Sequence, residues 1–378
     1  MKVRFNRAPI TSNELEIVSK CIESSVLSGG AVYTKKATNL LTKLTGCNSV
    51  ILTPSCSSAL EMCSLLLDIS FGDEIIAPSY TFVTSVSSFA LHGASIRFVD
   101  VDPNTMCMSL DSAKNAISEN TKAIIYVNYG GTTHNIEAFR ALADSYKIPL
   151  IEDSAQSINS FYKNKHIGTF GDLATLSFHD TKNITSGGEG GALLVNNERF
   201  LSRALNIRDK GTNRSDFVNG IVDKYTWVEN GGSHLMSELQ AAYLFAQLQN
   251  IDEVTKDRLE IWYSYYNLFS SLKSPLLKHF MTPSDDVRHN GHLFFLKFRL
   301  TGDRDRFIAF MKTYSIDVVF HYVPLHLSPA GQKYGKFIGE DKNTLSGSSV
   351  LVRLPIYNSM TKDELEYVLE KLEKFFGK

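Results

Sequence analysis

Short apolar runs rich in β-branched residues alternate along the first half of the chain with longer stretches in which apolar residues recur at helical spacing. The runs are SVIL at 49–52, EIIAP at 74–78, SIRFVDV at 95–101, KAIIYVNY at 122–129, IPLIED at 148–153 and ATLSF at 174–178. This alternation is typical of βαβ units, in which helices cover both faces of a mainly parallel sheet. Ligands of such sheets bind beyond the carboxyl ends of the strands, so we expect the functional residues to follow these runs.

After residue 195 the pattern changes, and residues 237–272 form one long stretch with helical spacing. It is followed by a strand-like HLFFLKFRL, a helix-like DRFIAFMKTYS, a strand-like DVVFHY, the segment VRLPIY and the amphipathic TKDELEYVLEKLEKFF. We therefore predict two domains with a boundary inside the long helical stretch: a large domain with an N-terminal arm at 1–250, and a smaller α+β domain at 251–378.

The 378 residues are 43% hydrophobic and 21% charged, enough for a large core and without the polar tracts typical of disorder. Lys and Arg number 39 against 40 Asp and Glu, a net charge of −1 without blocks of like charge, which argues against nucleic acid as a partner. No apolar run approaches the roughly eighteen residues of a membrane span, and MKVRFNRAPITSNELEIV lacks a signal-peptide core. We expect no membrane partner and a cytoplasmic location.

The cysteine and histidine positions favour neither a disulfide framework nor a metal site. The five cysteines, which include no CxxC pair, are typical of small buried side chains in a reducing compartment: Cys21, Cys47, Cys56, Cys63 and Cys107. His321 and His326 are the closest histidines, but no cysteine or acid completes a ligand set at suitable spacing. We expect no bound metal.

The segment 148–197 carries the strongest chemical signal. One buried run ends in Glu152 and Asp153, and the next is followed by HDTK, which ends at Lys182, and then by a glycine-rich turn. An acid and a lysine at neighbouring strand ends suit pyridoxal 5′-phosphate, because the amine forms the Schiff base while the carboxylate keeps the pyridine nitrogen protonated. The alternative is a surface ion pair between Asp153 and Lys182 without a catalytic role.

Two further segments support this cofactor. In TPSCSSAL, small residues precede an apolar helix, whose free N–H groups and hydroxyls can hold a phosphate; the alternative is an ordinary helix cap. In PSYTFVTS, Phe82 follows a strand end and can stack on a planar ring; the alternative is a core residue. Walker A, HExxH, GxSxG and strand-ending GxGxxG signatures do not occur.

With SFHDTKNITSGGEGGALLVNN, EDSAQS, TPSCSSALEM, PSYTFVTS and MSELQAAYL, the chain resembles the DegT-type sugar-nucleotide aminotransferases. The resemblance extends from FNRAPI to HYVPLH and RLPIYNSMT. It implies the α/β aspartate-aminotransferase-like fold type I and pyridoxal 5′-phosphate, with pyridoxamine 5′-phosphate formed during turnover. It also implies a homodimer with shared active sites, acting in synthesis of bacterial surface polysaccharide such as the lipopolysaccharide O-antigen.

The implied reaction moves an amino group from L-glutamate to carbon 4 of dTDP-4-keto-6-deoxyglucose. The galacto product is favoured, and the alternatives are the gluco epimer or a 3-amino sugar. Lys182 argues against the dehydratases of this family, in which histidine replaces the lysine. A regulatory protein that binds the cofactor without turnover would carry an appended basic segment, which this sequence lacks.

The same resemblance implies a role for each matching residue. Lys182 carries the cofactor and moves the proton, Asp153 pairs with the pyridine nitrogen, and Gln156 contacts the ring hydroxyl. Phe82 stacks on the ring face away from Lys182. The phosphate is held by Cys56, Ser57 and Ser177.

Further residues are expected at the partner's phosphate and around the sugar nucleotide. Ser233, in GGSHLMSELQ, stands where many relatives carry an Asn that reaches the neighbouring subunit's phosphate, and a hydroxyl can still donate there directly or through water. Candidates for the diphosphate are Lys35, Lys210 and Arg214, with solvated surface charge as the alternative. Candidates to border the sugar are Tyr322, His326 and Tyr357, with interdomain packing as the alternative.

Overall fold

All six apolar runs of the first half form strands in the computed structural model, which describes residues 1–377. The strands are β1 Val50–Thr53, β2 Glu74–Pro78, β3 Ser95–Val99, β4 Thr121–Val127, β5 Leu150–Asp153, β6 Phe161–Tyr162, β7 Lys165–His166, β8 Leu173–Ser177, β9 Gly191–Val195, β10 Leu277–Phe280, β11 Val287–Arg288, β12 Phe294–Phe298, β13 Gly335–Phe337 and β14 Leu351–Leu354. A helix follows each strand from β1 to β4 and leads to the next strand, which is the βαβ pattern expected from the sequence.

The helices lie between and after these strands. They are α1 Glu14–Glu23, α2 Val32–Thr45, α3 Cys56–Leu66, α4 Thr84–Ala90, α5 Leu110–Asn115, α6 Ile136–Tyr146, α7 Leu201–Arg208, α8 Arg214–Val218, α9 Glu238–Leu248, α10 Ile251–Ser271, α11 Thr301–Thr313, α12 Pro329–Tyr334, α13 Thr344–Val350 and α14 Lys362–Phe376. The long helical stretch thus consists of α9 and α10, separated by two residues. No helix within residues 1–377 has the length and apolar character needed to cross a membrane.

The large sheet has the strand order β1-β9-β8-β5-β4-β2-β3-β13. Strand β9 runs antiparallel to both of its neighbours, and every other neighbouring pair is parallel. Consequently β1, β2, β5 and β8 all end at one edge of the sheet, and β9 begins there. Successive side chains pack on opposite faces: Ile51 lies in one apolar cluster, and Val50 and Leu52 in another.

The second half builds a three-stranded antiparallel sheet, β10-β12-β14, beside α10, α11 and α14. Its apolar side chains join one continuous cluster with those of β4 and α6. Strand β13, from beyond the predicted boundary at residue 250, pairs with β3 in the large sheet. The boundary itself stays a prediction.

One predicted strand is absent. In DVVFHY only Val319 makes an isolated bridge, to Arg353 in β14. The chain then leaves the sheet, because the next two side chains after Phe320, those of His321 and Tyr322, turn into a cavity instead of alternating along an edge. All five cysteines are free, and every one except the half-buried Cys56 is buried, in agreement with their interpretation as small buried side chains.

Glu238 is a buried carboxylate that caps helix α2. It is 1% exposed and accepts the N–H groups of Ala31, Tyr33 and Thr34 at 3.0, 2.7 and 3.1 Å, as well as the Thr34 hydroxyl. No side chain from the α2 N-cap position supplies this acceptor. Glu238 therefore satisfies amides that the first turn of a helix otherwise leaves without partners.

We expect Glu238→Ala to lower the free energy of unfolding by about 2–3 kcal/mol, since three amides lose a charged acceptor in a buried place. The loss is measured from urea unfolding followed by circular dichroism. Glu253→Ala, at an exposed carboxylate of α10, is the matched control and should change the value by less than about 0.5 kcal/mol. Equal effects of the two variants would contradict the capping role.

Candidate functional site

A cavity of about 780 Å³ opens at the edge where β1, β2, β5 and β8 end. It is large enough for a small-molecule ligand. The structure brings together in its wall eight residues singled out from the sequence: Cys56, Ser57, Phe82, Asp153, Gln156, Ser177, Lys182 and Tyr322. These residues are spread over the chain, and they meet because parallel strands deliver the segments that follow them to one edge.

Lys182 lies on the loop that joins β8 to β9. The Phe178 N–H donates to the Gly190 carbonyl at 2.8 Å and the Asp180 N–H to that of Gly188 at 2.9 Å, so the two arms of the loop are paired. Gly188 has a φ of +118°, a conformation that side chains rarely adopt. The Lys182 amine makes no hydrogen bond or ion pair with any residue in 1–377 and is free to react in the cavity.

Burial lowers the pKa of the Lys182 amine from its ordinary value of 10.5, and the positive charge of Arg353 acts in the same direction, against Cys56 and Asp153. Only the neutral amine attacks a carbonyl carbon. We therefore expect the rate at which apoenzyme captures pyridoxal 5′-phosphate to rise with pH and level off with a midpoint below 10.5. Stopped-flow absorbance between pH 7 and 11 measures it; a midpoint at or above 10.5 would show that the amine behaves like a solvated lysine.

The two carboxylates at the end of β5 have different surroundings. Asp153 lines the cavity, where its carboxylate accepts the Ser85 hydroxyl at 2.6 Å and the Ala155 N–H at 3.2 Å. The Ser85 hydroxyl lies 2.8 Å from that of Thr81. Two oxygens held by fixed donors orient the Asp153 carboxylate towards a ligand in the cavity.

Glu152 instead points into the protein, where it is fully buried. It accepts the N–H groups of Gly168, Phe170 and Gly171 at 3.0, 2.6 and 2.7 Å. Burial raises its pKa against the effect of these hydrogen bonds. Glu152 thus holds the loop before β8, and Asp153 is the carboxylate that is available to a ligand.

The N-terminus of α3 lies at the cavity wall and leaves two backbone N–H groups without acceptors. The Ser55 hydroxyl accepts the Ser58 N–H at 3.1 Å and caps the helix, while the N–H groups of Cys56 and Ser57 have no acceptor within residues 1–377. A Cβ at Gly191 would overlap the Cys56 backbone nitrogen, so glycine is required for β9 to begin against this helix. The cap interpretation of TPSCSSAL is therefore confirmed for Ser55, and the phosphate site at the free N–H groups of the next two residues stays a prediction.

Phe82 and Gln156 complete the wall between these groups. Phe82 is 55% exposed with its ring centre 6.4 Å from that of Tyr322, so it is not a core residue. The Gln156 side chain accepts the Gly130 N–H at 2.6 Å and donates to the Tyr322 hydroxyl at 3.0 Å. A free amine, an oriented carboxylate, unpaired N–H groups and an exposed ring in one cavity fit a planar phosphorylated aldehyde such as pyridoxal 5′-phosphate.

The other predicted site residues lie outside this cavity. Ser233, Lys35, Lys210 and Arg214 are exposed, and Ser233 forms a bridge with Asp209. Their expected contacts, which involve a second subunit or the nucleotide, stay predictions.

His326 and Tyr357 make packing contacts in this structure, and their expected place at the sugar stays a prediction. The His326 ring lies 2.7 Å from the Ser79 hydroxyl and 3.4 Å from the Asp341 carboxylate, and Tyr357 is buried beneath the Arg7 guanidinium. These neighbours keep both side chains out of the cavity wall.

Several lining residues were missed by sequence reasoning. Ser85 lies within the quoted PSYTFVTS segment, and Arg353 within VRLPIY, but neither carries a local signal for its role. Others come from the N-terminal arm and the second half of the chain, among them Phe5, Asn6, His292 and His321. Their place in the wall depends on contacts between distant parts of the chain.

Known proteins resemble this chain in sequence and in fold. The model of the DegT/DnrJ/EryC1/StrS aminotransferase family matches residues 9–373. The uncharacterized protein MJ1066 of Methanocaldococcus jannaschii is 32% identical over 376 residues, covering 97% of this chain and 96% of that protein.

Among solved structures, the aminotransferase TlmJ from Streptoalloteichus hindustanus superimposes with a TM-score of 0.90 at 23% identity, covering 99% of both chains. The putative sugar aminotransferase Spr1654 from Streptococcus pneumoniae, in its PMP form, gives 0.90 at 22% identity, again over 99% of both chains. These superpositions confirm the predicted aspartate-aminotransferase-like α/β fold.

Proposed function

The chain belongs to the DegT/DnrJ/EryC1/StrS aminotransferase family, and from this premise we propose that it is a dTDP-4-amino-4,6-dideoxygalactose transaminase. It transfers the amino group of L-glutamate to carbon 4 of dTDP-4-keto-6-deoxyglucose. The observation that carries the transaminase chemistry is the convergence of a free Lys182 amine and an oriented Asp153 carboxylate in one open cavity. The choice of sugar and donor is supported by the sequence segments TPSCSSALEM, KGTNRSDF, DKYTW and SELQAAYLFAQL.

Enzymes of this family depend on pyridoxal 5′-phosphate, as the sequence predicted. The residues that would hold it are Lys182 for the aldehyde carbon, Asp153 for the pyridine nitrogen, and Cys56 and Ser57 with Ser177 for the phosphate. When bound, the cofactor supplies an electron-withdrawing ring that stabilises negative charge on the substrate carbon.

The side chains of the cavity then perform three tasks. The Lys182 amine takes the proton from Cα of L-glutamate in the first half-reaction and delivers one to carbon 4 of the sugar in the second. Asp153 would hold a proton on the ring nitrogen by its negative charge, and Ser85 keeps this carboxylate oriented. Because donor and acceptor use the same cavity in turn, ping-pong kinetics are expected.

The active enzyme in this proposal is a homodimer. Ser233 would reach the phosphate in the partner's cavity, and Lys35, Lys210 and Arg214 would contact the diphosphate of the sugar nucleotide. Their exposure on one subunit leaves them available for such contacts. The product would serve as a precursor of a surface polysaccharide.

The test is to incubate the cofactor-loaded protein with L-glutamate and dTDP-4-keto-6-deoxyglucose and to determine the product by NMR. An axial amine at carbon 4 supports the galacto product. An equatorial amine at carbon 4 indicates the gluco epimer, and an amine formed at carbon 3 from a 3-keto substrate indicates the other alternative. Absence of turnover with every one of these substrates would reject the sugar-nucleotide assignment.

A further inference from the structure

His292 is fixed in the cavity wall by a hydrogen bond to the residue that follows Lys182. Its ring lines the cavity, and its Nδ1 lies 2.8 Å from the Asn183 Oδ1. The amide nitrogen of Asn183 donates to the Asn290 carbonyl at 2.9 Å, so this side chain is oriented and its oxygen is the atom that faces His292. An amide oxygen only accepts. The His292 Nδ1 therefore carries the ring hydrogen, and the Nε2 carries a lone pair.

The His292 Nε2 is available to a donor in the cavity. Within residues 1–377 it makes no hydrogen bond, and it retains accessible surface. The Lys182 amine, at the same cavity, has no partner in this range either. A lone pair and an amine without other partners in one cavity are complementary, because each supplies what the other needs for a hydrogen bond.

The backbone around His292 is held by the buried Arg258. This side chain of α10 is 1% exposed; its Nε donates to the Gly291 carbonyl at 3.2 Å, and a terminal nitrogen donates to the His292 carbonyl at 2.8 Å. Gly291 has a φ of +62°, and a Cβ there would lie 3.0 Å from the Arg258 backbone. The Asn290 side-chain oxygen accepts the His292 N–H at 3.0 Å. The ring therefore stands on a turn that is fixed on both sides.

His292 is uncharged at neutral pH. Burial, the largest cause, lowers its pKa well below the usual 6.5, and the positive charges of Lys182, Arg258 and Arg353 act in the same direction. Such a ring accepts a hydrogen bond from an ammonium group without taking its proton, because a ring with so low a pKa is a weak base. His292 can thus orient an amine without competing for the proton that the amine carries.

We propose that His292 is a positioning residue for Lys182: its Nε2 accepts an N–H of the Lys182 amine and directs the nitrogen towards Cα of the amino donor. This inference rests on the proposed function. The amine is free for this contact once L-glutamate has replaced it at the cofactor. The Cα proton then passes to the Lys182 nitrogen, which becomes an ammonium group, while the electron pair of the C–H bond stays with the substrate and the cofactor ring. His292 gains and loses no proton in this step.

Two substitutions of His292 separate the acceptor from the rest of the ring. In His292→Asn the amide nitrogen takes the place of Nδ1 and keeps the hydrogen bond to Asn183, but no acceptor remains at the position of Nε2. In His292→Gln the longer side chain brings an acceptor close to the Nε2 position. His134→Asn, at a half-buried histidine outside the cavity, is the control. All are studied as full-length, cofactor-loaded proteins.

Three measurements are made. Rapid mixing with L-glutamate and with its Cα-deuterated form gives the rate constant of proton abstraction and its isotope effect. Isothermal calorimetry gives the dissociation constant of 2-methyl-L-glutamate, which lacks the Cα hydrogen and is not turned over. Nuclear magnetic resonance of ¹⁵N-histidine-labelled wild type, with and without cofactor, gives the tautomer of His292, whose signals are assigned by their loss in His292→Asn.

We expect His292→Asn to abstract the Cα proton about 10- to 100-fold more slowly than wild type, with an isotope effect at least as large, because a hydrogen bond to a charged group is lost. Its affinity for 2-methyl-L-glutamate should stay within about threefold of wild type, and His292→Gln should recover part of the rate. His134→Asn should match wild type. At neutral pH the wild-type ring should carry its hydrogen on Nδ1 and none on Nε2.

An unchanged rate of proton abstraction in His292→Asn would overturn the inference, and so would a hydrogen on Nε2 of the wild-type ring. A loss of rate matched by an equal loss of 2-methyl-L-glutamate affinity would also overturn it, because His292 would then bind the donor. If His292→Asn does not load the cofactor, the wild-type tautomer and a His292→Gln rate within about tenfold of wild type must both agree with the inference, and failure of either overturns it. A wild type that shows the expected tautomer but does not react with L-glutamate would instead reject the proposed function.

Discussion

Replacing Lys182 by alanine is expected to lower kcat by at least about 10³-fold, because one side chain both anchors the cofactor and carries the proton. The structure explains why no neighbour compensates. The Lys182 amine is free of hydrogen bonds and ion pairs within residues 1–377, and the neighbouring His292 ring is bound to Asn183 at 2.8 Å. Burial, the largest cause, lowers the pKa of His292 well below its usual value, so it is a poor replacement base.

The measurement is single-turnover formation of 2-oxoglutarate from L-glutamate, together with the visible absorbance band of the lysine-bound cofactor. Both should be lost in Lys182→Ala. Lys43→Ala, at an exposed lysine of α2 outside the cavity, should retain both. Residual activity within tenfold of wild type in Lys182→Ala would assign the proton transfer to another group.

Asp153→Asn should reduce kcat by about 10²-fold, the equivalent of roughly 3 kcal/mol for a charged hydrogen bond to the ring nitrogen. The amide keeps the shape of the side chain and can still accept the Ser85 hydroxyl, but it removes the negative charge that keeps the nitrogen protonated. Steady-state kinetics with saturating L-glutamate measure the loss.

Two neighbouring variants distinguish this electrostatic role from a structural one. Ser85→Ala removes one of the donors that orient Asp153 and should cost less than tenfold in kcat. Glu152→Gln alters the buried acceptor of three amides and should lower stability more than Asp153→Asn does. If Asp153→Asn lowered thermal stability as much as Glu152→Gln while kcat stayed near wild type, Asp153 would be a structural residue.

Much of this site follows from local patterns. The β-branched runs at 74–78 and 148–153, separated by helical spacing, predicted parallel strands, and parallel strands end at a common edge. That rule predicts that Phe82, Asp153 and Lys182 lie close together, and all three line the cavity. The rule applies here because a strand that is buried on both faces is apolar at nearly every position, and such a run can be recognised in the sequence.

Other features depended on the tertiary structure. The period of a strand puts Glu152 and Asp153 on opposite faces but does not say which face contains the cavity. The position of β13 beside β3 depends on a contact between segments more than two hundred residues apart. His326 was expected at the sugar from the sequence, and only the structure shows that its ring lies 2.7 Å from the Ser79 hydroxyl.

By itself, the sequence determined the α/β fold and the cofactor and predicted the reactive pair Asp153 and Lys182, because these depend on patterns within single βα units. Only the tertiary structure decided which side chains of the second half complete the cavity. Arg353 lies 171 positions after Lys182 and stands in a strand whose neighbours are apolar. Only the packed structure shows that its guanidinium has no acidic partner within residues 1–377. Packing between distant segments produces no local periodicity, so this feature could not be inferred from the sequence.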